Sequence, residues 1–301
     1  MEVVLSAPRG FCAGVVRAVD VVELCLERFG KPIYVRREIV HNPHVVSDLK
    51  SKGAVFVEEL DEVPDGQRVV FSAHGVSPEV WQQSRDRKLQ VVDATCPLVT
   101  KVHLEALKYA REGYSILLIG HRGHDEVIGT MGEAPEVSIL VEDIAHAHTV
   151  QVPYPERVVA LTQTTLSVND TSNIMLVLKE RFPNLVSRND ICYATTNRQA
   201  AVKAITKEVD LVLVIGAKNS SNCNRLREVA EAEGVPAYLI NDPADIQNEW
   251  MHGVERVGIT SGASTPERLV EEVVASLRPS KVRSVEVVEE DVTFLLPRAL
   301  R

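Results

Sequence analysis

Three stretches of the sequence resemble one another: each has a turn that contains a cysteine and then an amphipathic helix, and in the first two an apolar run precedes the turn. They occupy residues 3–17, 90–99 and 189–202, and their cysteines are Cys12, Cys96 and Cys192. An apolar run followed by a turn and a helical pattern is typical of a buried strand that leads into a helix. The recurrence of this order predicts a repeated α/β unit with one cysteine at an equivalent point of each copy.

Each copy continues with two further strand–turn–helix steps whose turns are polar. These turns come about 30 residues and about 60 to 70 residues after each cysteine, which supports a true repeat. The nine turns are marked by Cys12, His41 and His74 in the first block, Cys96, His124 and Thr164 in the second, and Cys192, Asn222 and Ser264 in the third.

Alternation of strands and helices predicts an α/β fold with mostly parallel sheets covered by helices. We expect three pseudo-equivalent lobes over residues 1–96, 97–190 and 191–276, followed by a tail over 277–301. Its strand-like part, residues 282–296, is predicted to return as an edge strand. Ligands in parallel sheets bind beyond the carboxyl ends of the strands, so nine polar turns at such ends predict one central site.

The composition narrows the class of protein. A chain of 301 residues with 45% hydrophobic and 25% charged residues is typical of a globular protein with two or three domains. The net charge of −9 argues against a general nucleic-acid binder. No apolar run approaches the roughly 20 residues of a membrane span, and the first residues lack signal-peptide features, so we expect a cytoplasmic protein.

The five cysteines favour a metal site over a disulfide framework. Cys12, Cys96 and Cys192 lack the close pairing of a zinc ribbon or ferredoxin loop, and their separation suits a site assembled between lobes. Three thiolates can hold three irons of a 4Fe–4S cluster and leave the fourth iron open to substrate. A structural zinc with three cysteines and one histidine is the alternative. Cys25 and Cys223 share apolar helix faces, so core packing is favoured for both.

Hydrogen-bond donors occur near the starts of several predicted helices, where unpaired N–H groups favour anions. The donors are His41, His74, His124, Ser220, Asn222 and Ser264. No Walker loop or G-x-G-x-x-G motif is present, so the sequence favours a small anion such as a diphosphate over an ordinary nucleotide.

Glu126 is the carboxylate that we expect to take part in chemistry. Near a cluster and a bound anion its pKa should rise, which suits proton donation. A solvated first-turn glutamate that stabilises the helix dipole is the simpler alternative, and Asp125 is the neighbouring candidate.

Nine segments together resemble the 4-hydroxy-3-methylbut-2-enyl diphosphate reductase family, which catalyses the last step of non-mevalonate isoprenoid precursor synthesis. The segments are PRGFCAGV, VHNPHVV, SAHGVSP, DATCPLVTKVH, GHRGHDEVIGTMGE, LTQTTLS, ICYATTNRQ, KNSSNCNRL and TSGAST, and the resemblance extends to about residue 276. It implies three α/β lobes around a central iron–sulfur cluster, reductive dehydroxylation to isopentenyl and dimethylallyl diphosphate, and ferredoxin or flavodoxin as electron donor. Cys223 departs from the family pattern, in which a small hydroxyl residue is common.

The resemblance also implies roles for individual residues. Glu126 would be the proton source, Thr164 would place the reacting end of the substrate, and Gln163 and Thr165 would support it. The implied cluster ligands are Cys12, Cys96 and Cys192, and the implied diphosphate ligands are His41, His74, His124, Ser220, Ser221, Asn222 and Ser264.

Two other functions are alternatives to a reductase: an electron carrier or sensor, and a hydro-lyase. An iron–sulfur sensor or electron carrier would need four protein ligands and no anion pocket, which the polar turns disfavour. A hydro-lyase with an open cluster iron would need no external electrons.

Overall fold

The computed structural model describes all 301 residues, in which strands and helices alternate along most of the chain. The strands are β1 (Glu2–Ala7), β2 (Ile33–Arg36), β3 (Ala54–Val57), β4 (Arg68–Phe71), β5 (Gln90–Asp93), β6 (Ser115–Ile119), β7 (Ser138–Val141), β8 (Val158–Thr162), β9 (Val186–Ser187), β10 (Leu211–Ile215), β11 (Ala237–Ile240), β12 (Arg256–Ser261) and β13 (Lys281–Glu286). The helices are α1 (Ala13–Phe29), α2 (Pro43–Lys52), α3 (Pro78–Asp86), α4 (Pro97–Arg111), α5 (Asp125–Glu133), α6 (Ile144–Thr149), α7 (Val168–Arg181), α8 (Tyr193–Ile205), α9 (Ser221–Ala232) and α10 (Glu267–Leu277). None of these helices combines the length and the apolar character needed to span a bilayer.

The strands form three sheets, and every pair of neighbouring strands is parallel. Their strand orders are β11-β10-β12-β1-β13, β3-β2-β4-β5 and β7-β6-β8-β9. The α/β fold with parallel sheets that the sequence predicts is therefore confirmed. Each block also contains a short strand that the sequence reading did not identify, namely β3, β7 and β11.

The neighbours of β1 in the sheet differ from those that the sequence predicts. The sequence places β1 in the first lobe. In the structure it pairs with β12 on one side and β13 on the other, in the sheet of the third block. The strand predicted over 282–296 is formed only as β13, and it lies at the edge of this sheet. Val3 pairs with Val257 and Val282, so burial between two late strands, and not chain proximity, determines the position of β1.

The chain divides into two units. The first comprises Met1–Val15, His41–Val45 and Cys192–Thr293, and it contains the five-stranded sheet. The second comprises Val16–Val40, Val46–Ile191 and Phe294–Arg301, and it contains both four-stranded sheets.

The cores lie on both faces of the sheets because the strands are apolar at successive positions. All residues of β10 are buried. Leu211, Leu213 and Ile215 belong to one core cluster, whereas Val212 and Val214 belong to another. Successive side chains of a strand point to opposite faces, so a continuous apolar run requires helices on both sides, as in other parallel sheets.

Candidate functional site

The five cysteines fall into two classes by environment, and no disulfide joins any of them. Cys25 and Cys223 are fully buried, and burial raises the pKa of each thiol to about 11. Core packing, the role favoured from the sequence, is confirmed for both. Cys12, Cys96 and Cys192 are partly exposed, and each immediately precedes a helix, namely α1, α4 and α8.

The position before a helix suits metal ligation. The thiolate is the form of cysteine that binds metals, and the positive end of the helix dipole stabilises it. The sulfur of Cys192 also accepts a hydrogen bond from the N–H of Thr195 at 3.4 Å and lies 3.2 Å from its hydroxyl oxygen. The three partly exposed thiols are therefore the candidate metal ligands, whereas the two core thiols are not.

In the first unit, the turn that carries Cys12 is bound to the loop after β12. The N–H of Cys12 donates to the carbonyl oxygen of Ala263 at 3.2 Å, and the N–H of Gly10 donates to the hydroxyl of Ser261 at 2.9 Å. Gly10 has a φ of +69°, a conformation that glycine adopts without strain. The glycine allows the sharp turn between β1 and Cys12.

The same loop places two predicted anion ligands together in the first unit. The hydroxyl of Ser264 donates to the backbone carbonyl of His41 at 3.1 Å. Ser264 is one residue from the carbonyl that holds Cys12, so these three predicted site residues lie in one neighbourhood.

Asn222, at the start of α9 in the first unit, has an unusual environment. It is 5% exposed, and both polar atoms of its side chain are buried without a hydrogen-bond partner. Ser220 caps this helix by accepting a hydrogen bond from the N–H of Cys223, and Ser221 is its first residue. Buried amides nearly always have partners, so the unpartnered amide of Asn222 is a candidate ligand-binding group. A helix N-terminus favours an anionic one.

Gly262 makes the close approach of this loop to α9 possible. A Cβ at this position would lie 2.2 Å from the sulfur of Cys223 and 3.5 Å from the side-chain nitrogen of Asn222. Cys223 thus fills the core next to Gly262 and the start of α9, where Asn222 lies.

In the second unit, two predicted histidines lie side by side. The ring centroids of His74 and His124 are 5.9 Å apart, and the rings are nearly perpendicular. His124 caps α5, with its Nδ1 accepting from the N–H of Glu126 at 3.2 Å. Nδ1 of His74 lies 3.9 Å from the carboxylate of Asp125, which forms an ion pair with Arg37.

Glu126 is buried, with 3% of its surface exposed. Its carboxylate accepts hydrogen bonds from the N–H of Thr164 at 2.6 Å and from the hydroxyl of Thr164 at 3.0 Å. Burial raises the pKa of Glu126 to about 7, because desolvation outweighs these two hydrogen bonds and Asp190 adds a repulsive charge. The solvated first-turn glutamate considered from the sequence is therefore wrong.

Gln163 organises the turn next to Thr164. It is almost completely buried, its side-chain oxygen accepts from the N–H of His121 at 3.0 Å, and its nitrogen donates to the hydroxyl of Thr165 at 2.9 Å. These contacts join the turns after β6 and β8, which are neighbouring parallel strands.

Several residues of these sites were not identified from the sequence. Asp190 pairs with Lys101 at 2.9 Å and exchanges hydrogen bonds with Thr162. Arg37 holds Asp125, and Arg198 is fully buried behind the Cys12 turn. Asp190 and Arg198 lie in the sequence stretch around Cys192. Their proximity in sequence to this candidate ligand is the only feature from which a role could have been inferred.

The predicted site residues lie in both units. The first unit contains Cys12, His41, Cys192, Ser220, Ser221, Asn222 and Ser264, and the second contains His74, Cys96, His124, Glu126, Gln163, Thr164 and Thr165. The convergence of all three cysteines on one cluster stays a prediction.

Comparisons with known proteins give one consistent relationship. Residues 3–278 match the family model of the LytB protein. The 4-hydroxy-3-methylbut-2-enyl diphosphate reductase of an Azoarcus species is 54% identical over 305 residues, covering 100% of this chain and 98% of the relative. That of Leifsonia xyli is 55% identical over 306 residues, covering 100% and 91%.

A solved structure agrees with these relatives. The E-1-hydroxy-2-methyl-but-2-enyl-4-diphosphate reductase from Plasmodium falciparum is 39% identical, with a TM-score of 0.96 over 100% of this chain and 96% of that chain. The chain therefore belongs to the LytB protein family.

Proposed function

We propose that this protein reduces 4-hydroxy-3-methylbut-2-enyl diphosphate to isopentenyl diphosphate and dimethylallyl diphosphate. The observation that carries the proposal is the buried Glu126 carboxyl beside Thr164, with its pKa near neutrality. A group with this pKa is partly protonated at neutral pH, as an acid that assists departure of a hydroxyl group must be. Relatives that match over the whole length of the chain and are named for this reaction support the assignment.

The reaction balances with two electrons and two protons. The allylic C–O bond breaks, and the oxygen takes up one proton and leaves as water. The remaining allyl group receives two electrons and one proton. Protonation at one end gives isopentenyl diphosphate, and protonation at the other gives dimethylallyl diphosphate.

Cys12, Cys96 and Cys192 would hold three irons of a 4Fe–4S cluster. Their partial exposure and their positions before helices favour them over Cys25 and Cys223, which are fully buried. When bound, such a cluster supplies electrons one at a time and offers a Lewis-acidic iron that has no protein ligand.

The diphosphate would be held by side chains and by helix N-termini. In the first unit, Asn222 offers an unpartnered amide at the start of α9, next to the capping Ser220. The full proposed set is His41, His74, His124, Ser220, Ser221, Asn222 and Ser264. Much of the binding energy then comes from a part of the substrate that does not react, which holds the hydroxyl end in place.

Glu126 would supply the proton to the departing oxygen. The hydroxyl oxygen of Thr164 lies 3.0 Å from the carboxyl of Glu126. When that carboxyl is protonated, the hydroxyl can accept its proton and donate its own hydrogen toward the substrate. Gln163 keeps the Thr164 turn in position through His121 and Thr165. The chain's own residues thereby bind the anion, orient the hydroxyl group and deliver the proton.

A small one-electron carrier of the ferredoxin or flavodoxin type would supply the electrons in the cytoplasm. The protein would have three lobes divided near residues 96 and 190, with β1 in the sheet of the third lobe.

The test uses anaerobically purified full-length protein whose iron and sulfide are assayed first. The substrate is then supplied with and without a chemical reductant, and the products are identified by chromatography. We expect both diphosphate products only when the reductant is present. Product formation without reductant would instead favour a hydro-lyase, and iron-loaded protein that never turns over would favour an electron carrier or sensor.

A further inference from the structure

Arg198, in α8, is the largest fully buried side chain, with 0% of its surface exposed. Arginine is almost never buried to this extent unless it is paired. Its NH1 donates to the carboxylate of Glu290 at 3.0 Å and to the carbonyl of Ala194 at 2.9 Å. Its NH2 donates to the carbonyl of Gly10 at 2.8 Å. The guanidinium thus connects three parts of the first unit: its own helix α8, on which Ala194 also lies, the Gly10 turn and the segment that carries Glu290.

Two of these parts adjoin proposed cluster ligands. Gly10 lies in the turn that carries Cys12, and Ala194 lies in the first turn of α8, directly after Cys192. The guanidinium therefore ties the turn that carries Cys12 to α8, the helix that begins directly after Cys192. A guanidinium has five donors in a fixed geometry, whereas a lysine ammonium on a flexible stem cannot serve the same three acceptors together.

The third part is the segment after β13, which the proposed reaction leaves without a role. Glu290 lies there, and its carboxylate also accepts a hydrogen bond from the side-chain nitrogen of Asn197 at 3.1 Å. The carboxylate is 14% exposed and cancels the buried positive charge of Arg198. Net charge and hydrogen bonding near an iron–sulfur cluster set its reduction potential.

We propose that Arg198 and Glu290 are positioning residues for the iron–sulfur site. Arg198 fixes the turns that carry Cys12 and Cys192, and Glu290 neutralises Arg198 so that a buried cation does not raise the potential of the cluster. The positional part needs only the fold, whereas the electrostatic part rests on the proposed function.

The positional part is tested by amide hydrogen exchange of the full-length chain with Arg198→Lys. This variant keeps the charge but loses the three-way contact, so we expect the amides of Gly10 and Cys12 to exchange roughly tenfold faster. The amide of Cys96, which donates to Ala73 at 3.0 Å in the other unit, is the internal control. Unchanged exchange at Cys12 would overturn the positional role.

The electrostatic part is tested with Glu290→Gln, which keeps an acceptor oxygen and the side-chain shape but removes the charge. In a redox titration of the anaerobic protein followed by electron paramagnetic resonance, we expect a more positive midpoint potential with iron and sulfide content unchanged. Glu289→Gln, at the exposed neighbouring carboxylate, is the matched control and should leave the potential as in the wild type.

An unshifted potential in cluster-loaded E290Q would overturn the electrostatic role. A wild-type chain that binds no iron would overturn the proposed function and the electrostatic part together. The exchange experiment on R198K would then still decide the positional part, so the two failures are distinguishable.

Discussion

At the scale of single residues, burial distinguishes the carboxyl of Glu126 from an ordinary surface carboxylate. The side chain sits at the start of α5, where a glutamate commonly stabilises the helix dipole from solvent. Here the carboxyl is buried, and desolvation moves its pKa to about 7 although the hydrogen bonds from Thr164 lower it. The sequence identifies Glu126 as a candidate, but only its burial in the structure explains why its pKa is raised.

The first prediction is that Glu126→Gln nearly abolishes turnover. The amide cannot donate a carboxyl proton, and loss of a general acid costs on the order of a hundredfold or more in kcat. Iron and sulfide content should stay at the wild-type level, because Glu126 is not a proposed ligand. Glu136→Gln, at an exposed carboxylate after α5, is the control and should turn over normally. Normal turnover of E126Q would remove Glu126 from the mechanism.

The second prediction concerns stability and pH. The pKa of Glu126 is about 7 in the folded chain against a usual value of 4.5, so between these values the folded chain holds a proton that the unfolded chain has lost. Stability contributed by this group is therefore present at low pH, falls as the pH rises from about 4.5 to 7, and is roughly 3 kcal/mol lower above that range.

Because glutamine does not titrate, the free energy of unfolding of E126Q should increase relative to that of the wild type between pH 5 and pH 8. Anaerobic urea denaturation of both proteins at the two pH values measures this difference. A difference that does not change with pH would contradict the elevated pKa.

The third prediction is that Asn222→Ala weakens substrate binding without loss of stability. Its amide has no protein partner to lose, whereas hydrogen bonds to a charged diphosphate are worth enough to raise KM roughly tenfold or more. Steady-state kinetics and calorimetric binding of inorganic pyrophosphate measure the effect, and exposed Asn248→Ala is the control. A lowered melting temperature with unchanged KM would instead identify Asn222 as a structural residue.

At the scale of elements, several candidate site residues lie at the N-termini of helices. Cys96, Cys192, His124 and Ser220 each occupy the N-cap position of a helix that follows a parallel strand. This position concentrates unpaired N–H groups at the carboxyl ends of the strands, where α/β proteins bind ligands. The repeat in the sequence predicts these positions because strand, turn and helix are local patterns.

The fourth prediction tests the contact between the loop after β12 and α9. Gly262→Ala would place a methyl group 2.2 Å from the sulfur of Cys223, so we expect a loss of about 1–3 kcal/mol in the free energy of unfolding. Adding Cys223→Ala should recover part of that loss, since it removes the opposing atom. Thermal denaturation of both single variants and the double variant measures the coupling, and strictly additive effects would contradict the contact.

At the scale of the whole molecule, the five-stranded sheet joins the two ends of the chain. β1 lies between β12 and β13, and the backbone carbonyl of Met1 accepts a hydrogen bond from Ser280. These pairings connect residues that are distant in the sequence, and such non-local pairing forms late and depends on the rest of the sheet. The N-terminal strand leading to Cys12 is therefore stabilised by the last strand of the chain.

The fifth prediction is that removal of residues 281–301 destabilises the protein. β1 would become an edge strand with unpaired backbone groups, which promotes association with other chains. We expect a lower melting temperature and elution at larger size on gel filtration, under anaerobic conditions. An unchanged melting temperature with unchanged elution would show that β13 contributes little.

Local sequence patterns predict the features that depend on nearby residues. Strand and helix periodicity predicted the parallel α/β elements, and cysteine and histidine after apolar runs identified the turns that carry the candidate chemistry. Tertiary structure alone decided the partners of β1, the burial that shifts the pKa of Glu126, and the enclosure of Arg198 by Gly10 and Glu290. Burial and strand pairing depend on contacts between segments that are far apart in the chain. Local patterns indicate only whether a segment tends to form a strand, a turn or a helix.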